Sequence, residues 1–350
     1  MSGSMLAAVY HWDTGFQVQA VARPRPAPGE VLIQVDSCGI CASDVNEALS
    51  LRRQQSADAR ILGHEFSGIV AELGAGVCTL QLGDRVVVDP VWSCGACCQC
   101  RRAQPQHCQH KQTLGFSRPG AFAQFVAAPA ACAYPLPADL SLETAALAEP
   151  LACALHAVEL SGVRTGDRAV VLGTGNIGLL MVQLLRMHGA AVLGIDVQPW
   201  RLEIALAMGA SAVVNASEVD VVEAARAWSD GQGVDVVIES AGHAATGAQA
   251  MSMGAPGSTV VLFGVAATDE ALAVPQQSFV LGGRQLLGCV GTPFLFARAL
   301  ALLAARNVCV EPLITHRLGL DDLGSAIDLL AHQQGGALKV LIRPQNPAAT

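Results

Sequence analysis

The stretch RAVVLGTGNIGLL, residues 168–180, decides how this chain is read. RAVVL is a short apolar run of strand character, and NIGLL opens a longer helix-like segment. Between them Gly173, Gly175 and Gly178 form a G-x-G-x-x-G turn. The first glycine allows the tight turn, the second lets backbone approach a pyrophosphate, and the third lets the helix pack on the strand. The helix start, at Asn176 and Ile177, would then face the phosphates. The next strand-like run, AVLGID, ends on Asp196. A carboxylate there accepts hydrogen bonds from ribose hydroxyls and repels a 2′-phosphate, so NAD is expected over NADP. Arg201, at the start of the following helix-like segment, would soften that preference.

Downstream of the turn, strand-like SAVVN, VDVVIES and GSTVVLFG alternate with helix-like QPWRLEIALAMG and VDVVEAARAWSD. Such alternation predicts an α/β fold with a doubly wound parallel sheet and crossover helices. A helix-like FLFARALALLAARN and a strand-like ALKVLIRP follow, and the tail PQNPAAT reads as loose. Upstream, the first 150 residues read as strands and turns, as in GEVLIQVDSCGI and LGDRVVVDP.

The chain has 350 residues, 52% of them hydrophobic and 14% charged, enough for about two domains. Its net charge of -8 and lack of a basic run argue against a nucleic-acid partner. No apolar run reaches the length of a membrane span; AVVLGTGNIGLLMVQLL comes nearest, interrupted by glycines and an Asn. The expectation is a cytoplasmic protein without a membrane segment.

Twelve cysteines are too dilute for a secreted disulfide scaffold, but five crowd into CGACCQCRRAQPQHC, residues 94–108. Cys94, Cys97, Cys100 and Cys108 are spaced C-x2-C-x2-C-x7-C, with Cys98 left over. Four such thiolates suit a closed, structural zinc site. An iron–sulfur centre and redox disulfides remain the alternatives on spacing alone.

In order along the chain, CGICASD, LGHEFSG, LGDRVVV, the cysteine lobe, GAFAQFV, EPLACALHA, the glycine turn and EPLITH resemble the zinc-dependent medium-chain dehydrogenases. Within that family the chain resembles the sorbitol and polyol branch. The resemblance implies a GroES-like, mostly β catalytic domain over 1–154, with the zinc lobe at about 90–112. It implies a Rossmann NAD-binding domain over 155–292 and a segment, 293–350, that returns to the catalytic domain. It also implies a homodimer or homotetramer.

A second, catalytic zinc is implied at Cys41, His64 and Glu149, with Glu65 as an alternative or fourth ligand. Asp44 would accept a hydrogen bond from the ligand histidine, and Ser43 would receive the substrate hydroxyl proton. The expected reaction is hydride transfer between a secondary alcohol (a polyol, cyclitol or related compound) and NAD, with two zincs per chain.

Two departures bear on substrate. Asn46 stands where many relatives have a histidine, and Asn cannot relay a proton by titrating. In GCVGTPFLF, Gly291 and Thr292 replace the Arg–Tyr pair of sorbitol dehydrogenases, which argues against sorbitol. Phe294 and Phe296 read as helix core, with an apolar pocket the second choice. The competing readings are a non-catalytic NAD-binding protein on the same scaffold and an NADPH-dependent quinone or enone reductase. The metal-ligand set speaks against both.

Overall fold

A computed structural model describes residues 3–54, 59–267 and 269–345 of the chain. The expected loose tail lies outside the described residues from 346 onward. Gln345, within the stretch read as loose, is instead anchored: its side-chain amide donates to the carbonyls of Val35 and Gln124. The chain divides into two compact units, Met1–Glu149 with Phe296–Thr350, and Pro150–Leu295.

The first unit opens with the hairpin β1 (Ser4–His11) and β2 (Gly15–Ala22). β3 (Glu30–Gly39) is a fully developed strand, followed by helix α1 (Ala42–Gln54). Reading this region as strands and turns misses α1. Its segment ASDVNEALSLRRQ has a weak apolar stripe, and only Val45 and Ala48 of its described side chains are deeply buried with Asp44. Then come β4 (Glu65–Leu73), β5 (Arg85–Val88), β6 (Val91–Trp92), the one-turn α2 (Cys98–Arg101), β7 (Gln112–Thr113), β8 (Phe125–Pro129) and β9 (Ala133–Pro135). Short α3 (Leu142–Ala146), capped by Ser141, leads to α4 (Ala148–Leu160).

The second unit is the alternating segment. Its strands are β10 (Arg168–Leu172), β11 (Ala191–Asp196), β12 (Ala212–Asn215), β13 (Val234–Glu239), β14 (Gly254–Leu262) and β15 (Gln285–Gly288). Its helices are α5 (Asn176–Met187), α6 (Pro199–Ala207), α7 (Val221–Trp228), α8 (Ala244–Met253) and α9 (Gln276–Gly282). All sheet pairings are parallel, in the order β12-β11-β10-β13-β14-β15. The central strands are apolar on both faces because helices cover both. Val170, Ile195, Val237 and Val260 are fully buried there. The strand order reverses between β10 and β13, and that is where such sheets bind ligands, beyond the strands' carboxyl ends.

The chain then returns to the first unit as α10 (Phe296–Ala304), β16 (Ile314–Leu318), α11 (Leu323–Ala331) and β17 (Lys339–Ile342). β17 pairs antiparallel with β3, in the sheet β16-β17-β3-β4-β5-β9, with β8 also on β3. Ile33, Val35, Phe66, Val88 and Phe122 share one core with Leu323, Val340 and Ile342 from this last segment. Phe296 meets the expectation of helix core, and Phe294 does not. Phe296 is 1% exposed and its ring lies 5.0 Å from that of Tyr134. Phe294 precedes the helix at φ 60° and is 74% exposed.

Candidate active site

In the second unit, β10 delivers the glycine turn. Gly173 has φ +98°, which a side chain resists, and a Cβ there would press on the backbone of Ala241. A Cβ on Gly178 would collide with the Gly173 carbonyl oxygen, so the helix approaches only because that residue is glycine. Gly175, which starts α5, has nothing within 4 Å of the place its Cβ would take. That open surface, at the positive end of a helix, is where an anion would approach.

Asp196 ends β11 as expected, and it is buried. Its Oδ2 accepts from the Thr174 backbone N–H at 2.8 Å and from Thr174 Oγ1 at 3.3 Å, and its Oδ1 accepts from the Gln198 N–H at 3.0 Å. Thr174, the residue between the first two glycines, therefore fixes the carboxylate, a role the sequence motif does not announce. Arg201 Nη1 is 3.8 Å from Asp196 Oδ2, and the guanidinium rests over Trp200 at 5.1 Å. Arg201 Nε and Asn176 Oδ1 are buried and without a hydrogen-bond partner.

In the first unit, three of the expected catalytic ligands meet. Cys41 follows β3, and His64 and Glu65 stand where β4 begins. Their ligand atoms all lie within 4.8 Å of one another. Asp44, fully buried, organises Cys41 and His64. Its Oδ2 accepts from the Cys41 N–H at 2.9 Å, its Oδ1 accepts from the Gly63 N–H at 3.2 Å, and Oδ1 sits 3.4 Å from His64 Nδ1. This leaves Nε2 of His64 toward Ser43 Oγ, 3.5 Å away. Burial works against charge on His64, but Asp44, with the Cys41 sulfur adding, holds its pKa well above the ordinary imidazole value. Phe116, absent from the sequence reading, packs its ring 5.4 Å from that of His64.

Glu65 has a partner the sequence did not reveal. Lys339 of β17 donates to Glu65 Oε2 at 2.6 Å and to the Ile40 carbonyl at 2.9 Å, and both charged residues are buried. Burial alone would lower the Lys339 pKa; Glu65, with Cys41 adding, raises it instead. Gly39 makes this possible, since a Cβ there would occupy the place of Glu65 Oε2. The signal in the sequence was a lone lysine within the apolar run ALKVLI, because a lysine is seldom buried without a counter-charge.

Glu149, at the start of α4, is not among the three residues whose donor atoms cluster. Its charge still acts on Lys339 and on Asp89. Burial pushes the Asp89 carboxyl up to about 7, against a bond from the Val91 N–H, and Glu149 pushes it the same way.

The cysteine lobe gathers four sulfurs. Cys97–Cys100 and Cys94–Cys108 are 3.5 Å apart, Cys97–Cys108 3.8 Å and Cys94–Cys100 4.0 Å. Four thiolates around one zinc, at Zn–S about 2.3 Å, are separated by about 3.8 Å, so the set fits a single tetrahedral ion. No cysteine is in a disulfide, and Cys98 is exposed outside the group. Backbone N–H groups of Cys94, Cys97 and His110 donate to these sulfurs. The Cys97 thiol is lowered to about 6, chiefly by the Cys100 N–H, while burial pushes the neighbouring Cys100 thiol up to about 11.

At Cys41 and His64 the donor set is soft sulfur, imidazole and carboxylate in one partly open group, which suits a catalytic zinc better than a hard-cation site.

Residues 27–138 match the family model of the alcohol dehydrogenase GroES-like domain, and residues 176–305 that of the zinc-binding dehydrogenases. A sorbitol dehydrogenase of Halalkalibacterium halodurans is 32% identical over 347 residues, 97% of this chain and 98% of that one. A Sinorhizobium meliloti chain described as a zinc-binding dehydrogenase, solved bound to NADP, superposes with a TM-score of 0.91. It is 36% identical, over 98% of this chain and 100% of that one. An Escherichia coli chain described as a short chain alcohol dehydrogenase, solved with NADH, gives 0.90 at 28% identity over 98% and 100%. The first unit is thus a GroES-like domain and the second a Rossmann domain.

Proposed function

The chain belongs to the zinc-dependent medium-chain dehydrogenases, and on that premise we propose that it oxidises a secondary alcohol, such as a polyol or cyclitol, with NAD. The observation that carries this reading is the convergence of Cys41, His64 and Glu65 around the buried Asp44. Cys41 and His64 would hold the catalytic zinc, with Glu149 and Glu65 as the carboxylates; Cys94, Cys97, Cys100 and Cys108 would hold the structural one. When bound, zinc supplies a Lewis acid that lowers the pKa of a substrate hydroxyl, and NAD supplies the hydride acceptor.

The chain's own residues do the rest. Asp44 fixes the backbone at Cys41 and Gly63, and its Oδ1, 3.4 Å from His64 Nδ1, would hold the ring so that Nε2 is left for a metal. Ser43, beside that ring, takes the hydroxyl proton and passes it outward. Asn46, exposed on α1, cannot ionise and so takes no part by titrating. Lys339 restrains Glu65 at the edge of the group.

Asp196, at the end of β11, would favour NAD through its negative charge, which repels a 2′-phosphate. Arg201 favours a second reading, use of NADP, because its guanidinium lies at the same place, and the Sinorhizobium meliloti relative was solved with NADP. A homo-oligomer is supported by the uncovered edge strand β15 and by exposed Val280, Leu281 and Phe294 near it in sequence. Cytoplasmic residence is supported by the free thiols. No helix among the described residues is long and apolar enough to cross a membrane.

The test is nicotinamide reduction by the zinc-replete protein on polyols, cyclitols and simple secondary alcohols, with NAD and NADP in parallel. Turnover on one alcohol class with NAD preferred is the expected result. No turnover with any alcohol, with both zinc sites filled, would overturn the reading.

A further inference from the structure

The switch point between β10 and β13 is closed on one side by a loop that the glycine motif does not include. β13 ends on Glu239, whose side chain is 2% exposed although it carries a carboxylate. A charge so placed must be matched internally. Its Oε1 accepts from the Ala241 N–H at 2.9 Å, from the Gly242 N–H at 2.8 Å and from Thr246 Oγ1 at 2.7 Å. Its own carbonyl accepts from the N–H groups of Phe263 and Gly264 beyond β14, each at 2.9 Å. One residue therefore ties together the ends of β13 and β14 and the start of α8.

The loop so fixed bears directly on the turn. Ser240 Oγ donates to the Gly173 carbonyl at 2.7 Å, and the Ala241 backbone lies against the α-carbon of Gly173. Gly242, at φ +79°, bends the chain away next to Val265. Successive backbone N–H groups in such a bend form a ready anion site. Here the protein's own carboxylate fills it. The N–H groups of residues 241 and 242 are thereby withdrawn from any phosphate, and the anion is left to the start of α5.

We infer that Glu239 is a positioning residue for the dinucleotide: its buried carboxylate sets the loop that braces the Gly173 turn. The inference rests on the nucleotide reading above. It gives a role to a residue that would touch no part of the ligand itself.

The experiment measures NADH binding, by fluorescence titration, to the zinc-replete parent protein and to Glu239→Leu, Glu239→Gln and Thr246→Val. Steady-state KM for NAD and kcat are measured on the same samples. Glu239→Leu removes the side-chain acceptor, leaving the backbone carbonyl, and should weaken NADH binding by about tenfold or more, as loss of hydrogen bonds to a charged group does. KM for NAD should rise with it while kcat at saturating NAD stays within about threefold. Glu239→Gln retains an acceptor oxygen and should recover most of the affinity. Thr246→Val, a milder change that removes one of three donors, should weaken binding by about threefold even if Glu239→Leu does not fold. Unchanged affinity in the folded variants, with only the melting temperature lowered, would overturn the inference while leaving the nucleotide reading intact. A parent protein that binds no NADH would overturn both.

Discussion

Burying an ammonium group is unfavourable unless a partner offsets it, and Lys339 and Glu65 are exposed by only 3% and 1%. Neither charge is tenable alone. Lys339→Met should therefore cost about 3–5 kcal/mol in urea unfolding, because it strands the Glu65 carboxylate; a loss below about 1 kcal/mol would show that the pair does not hold this corner together. Asp89 gives the opposite case. Its carboxyl, at about 7 in the folded chain, sits above the usual 3.8, so the native state holds a proton that the unfolded chain has released. Stability from this group is present at acid pH and is lost as pH rises toward 7. Asp89→Asn should accordingly stabilise the protein by about 1–2 kcal/mol more at pH 8 than at pH 5, read from paired melting curves. Equal effects at both pH values would contradict the assignment. At this scale the sequence told donor types but not pairings. Cys41, His64 and Asp44 stood out inside motifs, whereas Lys339 and Thr174 act through partners that only the fold supplies.

Among the elements, the cysteine lobe has the least apolar support of its own. Its one-turn α2 buries no residue, and its strands β6 and β7 are two residues each. Its order must come from the four sulfurs. Cys108→Ser should lower zinc from about two to about one per chain and speed tryptic cleavage at Arg101 and Arg102, with the rest of the fold retained. Undiminished zinc content would mean that this lobe is not a metal site. Elements with strong periodicity were the legible ones. Strands β10 to β14 and α5 fall where their apolar runs place them, because a parallel sheet covered on both faces demands such runs, whereas the short β15 is not read as a strand. α1 escaped because its pattern is weak, and its start at Ala42 is set by Asp44 binding back to Cys41.

Over the whole chain, the decisive pairings are remote in sequence. β17 joins β3 with Leu341 opposite Gly39 and Ile342 opposite Cys38, and so brings Lys339 to Glu65. No local pattern encodes a contact across most of the chain. Only the resemblance carried by CGICASD, LGHEFSG and their ordered companions anticipated a returning segment. Spacing alone also could not say that Cys41, His64 and Glu65 would meet; the resemblance implied it, but gave Glu149 as a third ligand, whose donor atoms stay outside their group. The central claim joins that convergence to the nucleotide turn: a zinc held at Cys41 and His64 makes the chain an NAD-dependent alcohol dehydrogenase. The most direct test is the rate of NADH formation from the best alcohol substrate by the zinc-replete parent and by Cys41→Ala, with NADH binding and structural zinc verified in both. The account predicts that Cys41→Ala keeps its fold, its NADH binding and its structural zinc but loses turnover by about a thousandfold or more, as expected when the metal that activates the hydroxyl is gone. Turnover within about tenfold of the parent would contradict it.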